Sequence, residues 1–453
     1  MGVYLDHNST TPLAPEVLDV VKSVAECSWF NPSSAYDRKA KDAIKQSRLS
    51  VAKMLNANPN DFVFTSGGTE SNFLVFNTFS RNSSGVLPLV ITSNIEHPSV
   101  SLPLSRLKAL DLIELAIIPV NPSTGVVLVE AVLNELRPNR TILISIMLAN
   151  NETGAIMPIE DIVRAVRAWE SKNVSSLVFI HSDLAQAVGK LPLDLTRLGL
   201  DYATIVGHKF YGPRIGCLFV RGLLATKPDA ALNWSVTRRS VPVRESGAPL
   251  VPLFLGGGQE FGFRSGTENT PMIAGLGKAA ELITQNLGVY IEHMLKMRRC
   301  LEHELHSAFL PLAARVRVCI FGVDRCSPDV ADLDLNWFPN GKSTDDPRSL
   351  IERFHRLPNT VNLTFLGCPG LDSRRVLELC PTLQASRGAA CHSALHNSCV
   401  LQACGYSVEE AVTAIRLSIG RTTTLDDIVH AVNDLKRAVS SLLFERLQHT
   451  DNC

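Results

Sequence analysis

The 453-residue chain carries 44 Lys plus Arg against 44 Asp plus Glu, with hydrophobic residues at 45% and charged residues at 19%. That composition excludes general disorder, and a net charge of zero gives no electrostatic footprint for nucleic acid or an anionic membrane surface. The longest apolar run, TILISIMLA at 141–149, is far shorter than the roughly 20 residues of a membrane helix, so no membrane partner is expected. The opening MGVYLDHNSTTP shows neither a secretory nor an Arg-rich transit pattern, and Asp6 stands where a myristoylation signal needs Ser or Thr. A cytosolic protein is expected. The 11 cysteines, an odd number without a C-x-x-C pair, read as reduced thiols that are mostly small buried hydrophobes.

In chain order, DFVFT (61–65) predicts a strand that runs into Ser66-Gly67-Gly68-Thr69 and then a helix-forming stretch. This is either an ordinary strand-to-helix turn or a phosphate cradle, in which glycines admit the ligand to backbone N–H groups at a positive helix end. PLVITS (88–93), ILISIML (142–148), LVFIHSD (177–183) and YATIVG (202–207) predict further strands, and IEDIVRAVRAWES (159–171) has helical spacing. Strands alternating with helices predict an α/β fold with a largely parallel sheet. Asp183 and Gln186 follow one strand, where Asp183 is either a helix cap or a functional acid at the sheet's carboxyl edge. Lys209 follows another, flanked by glycines and a proline. A lysine desolvated at such a place has a lowered pKa and a nucleophilic amine. Phosphate cradle, acid and lysine together match what pyridoxal phosphate requires, namely a Schiff-base amine and a carboxylate for the pyridine nitrogen.

The run at 270–310 predicts one long amphipathic helix or two successive ones. The acidic, turn-rich segment 327–350 reads as a surface insertion, LPNTVNLTF (357–365) as a strand, and the last 45 residues as helical. Cys391 lies in a Ser-, Gly- and Ala-containing stretch (385–396) with Arg387, His392 and His396 near it, cations that favour a thiolate. Read as metal ligands, Cys391, His392, His396, Cys399 and Cys404 match none of the usual zinc spacings, so no metal is expected.

TSGGTESN, SNIEHPSV, ANNETGAIMPI, HSDLAQAVGK, GHKFYGPRIG, FRSGTEN, SRGAACHS and AIRLSIGRTTT occur in the order found in the cysteine desulfurase and selenocysteine lyase group of fold-type-I pyridoxal-phosphate enzymes, which the chain resembles over nearly its whole length. Within the group, IMLANNETG, VGHKFYGPRIG and GAACHS look more like the selenocysteine lyase branch. The resemblance implies a large domain (16–264) around a mostly parallel seven-stranded sheet, and a smaller α/β domain from 1–15 and 265–453. It implies Lys209 as the Schiff-base lysine, Asp183 on the pyridine nitrogen, Gln186 on the phenolic oxygen, and His97 stacked on the ring. Read alone, His97 is a loop histidine before Pro98. Gly68, Thr69 and His208 would hold the phosphate, with Thr267 reaching the phosphate of a partner subunit in a homodimer. Asn151 would touch cofactor or substrate, Arg416 would bind the substrate carboxylate, and Cys391 would act as acid toward the departing selenium or as nucleophile on it. The implied reaction takes L-selenocysteine to L-alanine, with selenium passing to a reductant or acceptor protein. The alternatives are a cysteine desulfurase that forms a Cys391 persulfide from L-cysteine, and a catalytically silent scaffold. Two residues depart from the group's pattern: Val206 stands where many desulfurases carry Ser, and Arg387 where relatives carry a small or apolar residue.

Overall fold

The computed structural model describes every residue except 1, 37, 82–85, 226–246, 324–354, 369, 388–397 and 451–453, and the side chains of 446–450. The candidate thiol Cys391 and the acidic segment 327–350 therefore lie outside the described residues. Strands β1 (Val3–Tyr4), β2 (Phe62–Thr65), β3 (Leu89–Ser93), β4 (Glu114–Ile118), β5 (Thr141–Ser145), β6 (Leu177–Asp183), β7 (Tyr202–Val206) and β8 (Gly216–Val220) come first along the chain. They are followed by β9 (Arg317–Ile320), β10 (Thr360–Leu366), β11 (Leu383–Gln384), β12 (Ser386–Arg387) and β13 (Ile415–Ser418).

Seven strands form one sheet in the order β2-β8-β7-β6-β5-β3-β4. The pairs β3–β4, β3–β5, β5–β6 and β6–β7 are parallel, and β8 runs antiparallel to both β2 and β7. β2 therefore points the same way as β7, and the carboxyl ends of β2, β3, β5, β6 and β7 share one edge. Four of the five predicted strand runs contain one of these elements, and the fifth, 142–148, overlaps β5, which begins one residue earlier. β5 and β7 are buried along their whole length, as expected of strands covered on both faces.

A four-stranded antiparallel sheet, β12-β13-β10-β9, has its own apolar cluster, which includes Val361, Leu363, Leu417 and Ile428. The run at 270–310 is one helix, Thr270–Phe309. Its first half (Ile273, Leu276, Ile283) packs in the cluster of the seven-stranded sheet, and its second half (Leu301, Leu305, Phe309) in the smaller one. The division into 16–264 and 1–15 plus 265–453 stands as our proposal. The last 45 residues are not helical throughout, because β13 interrupts them. IRLS alternates in side-chain character, and pairing with both β10 and β12 overrides the helical spacing of its neighbours.

The N-terminal segment joins the two sheets. Asp6 bridges to Ser418, and the Asn8 N–H donates to Ser418 Oγ (2.9 Å) at the end of β13. Thr11 N–H donates to the His208 carbonyl (2.9 Å), just beyond β7. Residues 6–11 thus pass between the smaller sheet and the carboxyl edge of the larger one.

A buried ion pair ties the glycine-rich segment after 255 to the same sheet. Arg48 clamps Glu260 bidentately (2.6 and 3.0 Å) and Glu260 accepts the Phe64 N–H (2.8 Å), while the guanidinium lies over the Phe64 and Phe261 rings. Removing one partner strands a buried charge. Arg48→Met is expected to cost about 3–5 kcal/mol in a urea titration of the holoprotein. A loss below about 1 kcal/mol would show that the pair has no structural weight.

Candidate active site

The helix Gly68–Ser80 starts directly after β2 and has no side-chain cap at Gly67. Its first N–H groups have no intrahelical acceptor, so Gly68 and Thr69 offer donors at the positive end of the dipole. A Cβ on Gly68 would come within 2.7 Å of Val206 Cγ2. The residue that departs from the group's Ser is therefore packed against the cradle, and only glycine fits beneath it. His208, after β7, contacts Thr10 Oγ1 through Nδ1 (3.0 Å). Burial, then Lys209, Arg214 and Lys190, hold its pKa down at about 4, so it meets an anion as a neutral imidazole.

Asp183, at the end of β6, is buried and accepts from neutral donors, Asn72 Nδ2 (3.0 Å) and the Ala185 N–H (2.9 Å). No helix follows for Asp183 to cap: residues 185–190 form turns, and the Ala185 contact closes a local turn after the strand, while the second oxygen faces Asn72. The Asn72 amide also donates to Ser99 Oγ (2.9 Å), which contacts His97 Nδ1 (2.8 Å). The Ser99 N–H donates to the same Nδ1 (3.1 Å). The network thus makes Nδ1 the acceptor and puts the proton of a neutral His97 on Nε2. His97 caps the helix Pro98–Ala109. The loop histidine and the strand-end acid are thereby held by one amide.

Lys209 Nζ donates to the carbonyls of Asn8 (2.8 Å) and Ser9 (2.6 Å). Gln186 Nε2 donates to the same Asn8 carbonyl (2.9 Å). The lysine and the glutamine, from two different strand ends, therefore converge on one oxygen of the N-terminal segment. Behind them, buried Lys190 donates to Gln186 Oε1 (2.6 Å) and Asn8 Oδ1 (3.2 Å).

Arg416, on β13, is 1% exposed and donates to the Asn151 carbonyl (2.9 Å) and to Asp6 (2.7 Å). Among the described residues its Nε is buried with no partner, as is Asn72 Oδ1. Glu152 follows Asn151 and accepts from Ser398 Oγ (2.5 Å), the first described residue after the Cys391 stretch. Burial pushes the Glu152 carboxyl up to about 7, opposed by the Ser398 hydrogen bond and Arg416. His97, Asn151, Glu152 and Cys399 line a cavity of about 280 Å³. A larger cleft of about 820 Å³ borders Thr10, His208 and Arg214, but neither Lys209 nor Asp183 lines it. Lys209, Asp183, Gln186 and Arg416 line neither cavity, and of the candidate site residues the smaller one takes His97 and Asn151.

Hydrogen bonds thus link Lys209, Gln186, Asn151 and Arg416 through Asn8, and Asp183 and His97 through Asn72 and Ser99, while His208 is held by Thr10 and Gly68 and Thr69 stand at the neighbouring helix start. Thr267 is exposed and takes no part in that network. Sequence reasoning did not single out Asn8, Asn72, Ser99, Lys190 or Glu152. Four of these five lie inside motifs quoted above, but a buried amide or a paired lysine carries no local pattern that marks it. Three features fit pyridoxal phosphate: an uncapped helix start for the phosphate, a buried carboxylate for the ring nitrogen that accepts from neutral donors among the described residues, and a strand-end amine. Among the described residues no group of three or more His, Cys, Asp or Glu side chains is arranged to hold a metal ion. No helix among them is long and apolar enough to cross a membrane.

Residues 3–319 match the class-V aminotransferase family. The chain is 42% identical to selenocysteine lyase of Bos taurus, over 97% of this chain and 94% of that protein. It is 41% identical to selenocysteine lyase of Homo sapiens over 97% and 92%. Cysteine desulfurase IscS of Rickettsia massiliae (strain Mtu5) is 32% identical over 96% and 90%. Among solved structures, a NifS-like protein superposes with a TM-score of 0.74 at 28% identity, covering 97% of this chain and all of that one.

The turn that carries His97 has a titratable anchor. Glu96 is buried and accepts from Ser93 Oγ (2.6 Å) and the Met147 N–H (3.0 Å). Burial raises its carboxyl from 4.5 to about 8. The unfolded chain then releases this proton at lower pH than the fold, so the contribution to stability is full below about 4.5 and is lost as pH rises to about 8. Glu96→Gln should therefore gain on the wild type in thermal midpoint between those pH values. A gap that stays constant across the window would contradict a buried, protonated Glu96.

Proposed function

The chain belongs to the class-V aminotransferase family, and on that footing we propose that it is a pyridoxal-phosphate-dependent selenocysteine lyase, converting L-selenocysteine to L-alanine and selenium. The observation that carries this reading is the convergence of Lys209 and Gln186 on the Asn8 carbonyl, with buried Asp183 and an uncapped helix start on the same edge. Identity of 42% to a curated lyase against 32% to a desulfurase supports the selenium substrate over the sulfur one.

Pyridoxal phosphate, when bound, supplies an electron sink conjugated to the substrate's α-carbon. The N–H groups of Gly68 and Thr69 bind its phosphate, with neutral His208 beside them. Asp183, oriented by Asn72, holds a proton at the ring nitrogen. Gln186 donates to the ring oxygen, and His97 covers the ring face, fixed by Ser99. Lys209 binds the cofactor in the resting enzyme and, once released, carries the proton removed from the substrate's α-carbon. Arg416 has a free Nε–H for the substrate carboxylate, a planar acceptor suited to guanidinium, and Asn151 flanks it. Cys391 takes the departing selenium: an S–Se bond forms as Cβ–Se breaks, the electron pair passes to Cβ, and a proton completes the methyl group of alanine. A thiol reductant or an acceptor protein then removes selenium as selenide.

A homodimer completes the site, with the partner's Thr267 reaching the phosphate. Exposed Trp29, Phe254 and Leu255 (70%, 50% and 73%) support an apolar interface of that kind. The cytosol is the proposed compartment.

Two variants test the assignment. Cys391→Ala is expected to keep the visible absorbance of bound cofactor and to lose most of its alanine formation from L-selenocysteine, by about a hundredfold or more. Lys209→Ala is expected to lack that absorbance altogether. Undiminished turnover in the first variant, or a persisting band in the second, would remove the residue from its role.

A further inference from the structure

The least expected side chain at the site is Lys190. It is 4% exposed, and its ammonium donates to two side-chain amide oxygens, Gln186 Oε1 (2.6 Å) and Asn8 Oδ1 (3.2 Å). The charges acting on it are both positive, Lys209 and Arg416, and with burial they hold its pKa well below the ordinary lysine value. A lysine kept in so unfavourable a place, with no attraction from a nearby acid, calls for a positional reason.

The reason lies in the two amides. An amide has a donor end and an acceptor end of nearly the same shape, and what it presents depends on which end is claimed elsewhere. Lys190 gives both of its hydrogen bonds to amide oxygens, so it claims the oxygen of each. Gln186 must then turn Nε2 away from Lys190, toward the Asn8 carbonyl and Lys209. Asn8 has Oδ1 taken by Lys190 and by Asn359 Nδ2 (3.0 Å), so its Nδ2 donates to Thr360 Oγ1 (2.8 Å) and to the Asn151 carbonyl (3.3 Å). That carbonyl is the one Arg416 also binds.

We propose that Lys190 is a positioning residue that fixes the direction of both amides: it makes Gln186 a donor toward the ring oxygen of the cofactor, and Asn8 a donor toward the Asn151–Arg416 pair that meets the substrate carboxylate. The proposal rests on the pyridoxal-phosphate reading above. Lys190 touches neither cofactor nor substrate and acts through Gln186 on one side and Asn8 on the other. Without it the Gln186 amide is free to flip and present Oε1, an acceptor facing an acceptor.

The test is a double-mutant cycle on cofactor affinity, read by equilibrium dialysis of the holoenzyme against falling pyridoxal phosphate with the visible band as signal. Lys190→Met should weaken retention about tenfold, and Gln186→Ala by a similar factor. The double variant should be no weaker than the weaker single one. Lys190→Gln keeps a donor of similar reach without the charge, and should come within about threefold of wild type. Lys190→Ala supplies the cycle should Lys190→Met fail to fold. The KM for L-selenocysteine should rise in Lys190→Met more than kcat falls, because the Asn8 arm supports carboxylate binding. Factors that multiply in the double variant, or a Lys190→Gln as weak as Lys190→Met, would overturn the proposal. Lys209→Ala, measured alongside, separates the two levels. If it keeps the visible band, the cofactor reading fails and this inference falls with it. If it loses the band while the cycle is additive, only the role of Lys190 is overturned.

Discussion

One backbone oxygen, the carbonyl of Asn8, organises the site. It accepts from Lys209 Nζ and from Gln186 Nε2, and it lies on a segment clamped between β13 and the turn after β7. Two residues from separate strand ends are thereby held at a common point, which neither strand fixes alone. The side chain of Asn8, 1% exposed, repeats the pattern by joining Lys190 and Asn359 to Thr360 and Asn151. The geometry of the sheet edge thus depends on a few N-terminal residues being seated before the site exists.

A buried network of this kind is costly unless every member is satisfied. Here nearly all are, and the exceptions are informative. Arg416 Nε and Asn72 Oδ1 are buried without partners, and both lie one bond or one side chain away from groups proposed to meet substrate or cofactor. Asp183 is held by neutral donors only. A charged, planar ligand at this edge would meet both groups.

Much of this was legible in the sequence. Parallel strands buried on both faces declare themselves as apolar runs, so β3, β5, β6 and β7 were readable from composition. Their carboxyl ends then marked Asp183 and Lys209 as neighbours. The helix start at Gly68 was readable because two glycines before a helix are chemically distinctive. What escaped were residues whose importance comes from contacts distant along the chain. Asn8 and Asn359 lie 351 positions apart and meet through their side chains. Lys190 resembled any solvated lysine until its surroundings were known. β13 was hidden because a four-residue strand inside helical neighbours is decided by its partners β10 and β12, not by local spacing. Thr267 illustrates the reverse: the resemblance gave it a role that a single chain has no geometry to express.

The proposed function requires that this edge process selenocysteine in preference to cysteine, through a lysine-bound cofactor. It is tested most directly by the ratio of kcat/KM for alanine formation from L-selenocysteine and from L-cysteine, with the same purified protein under the same reducing conditions. The expected ratio lies strongly in favour of selenocysteine, with cysteine a poor substrate. Equal or better turnover of cysteine, with a persulfide forming on Cys391, would contradict it and make the protein a desulfurase.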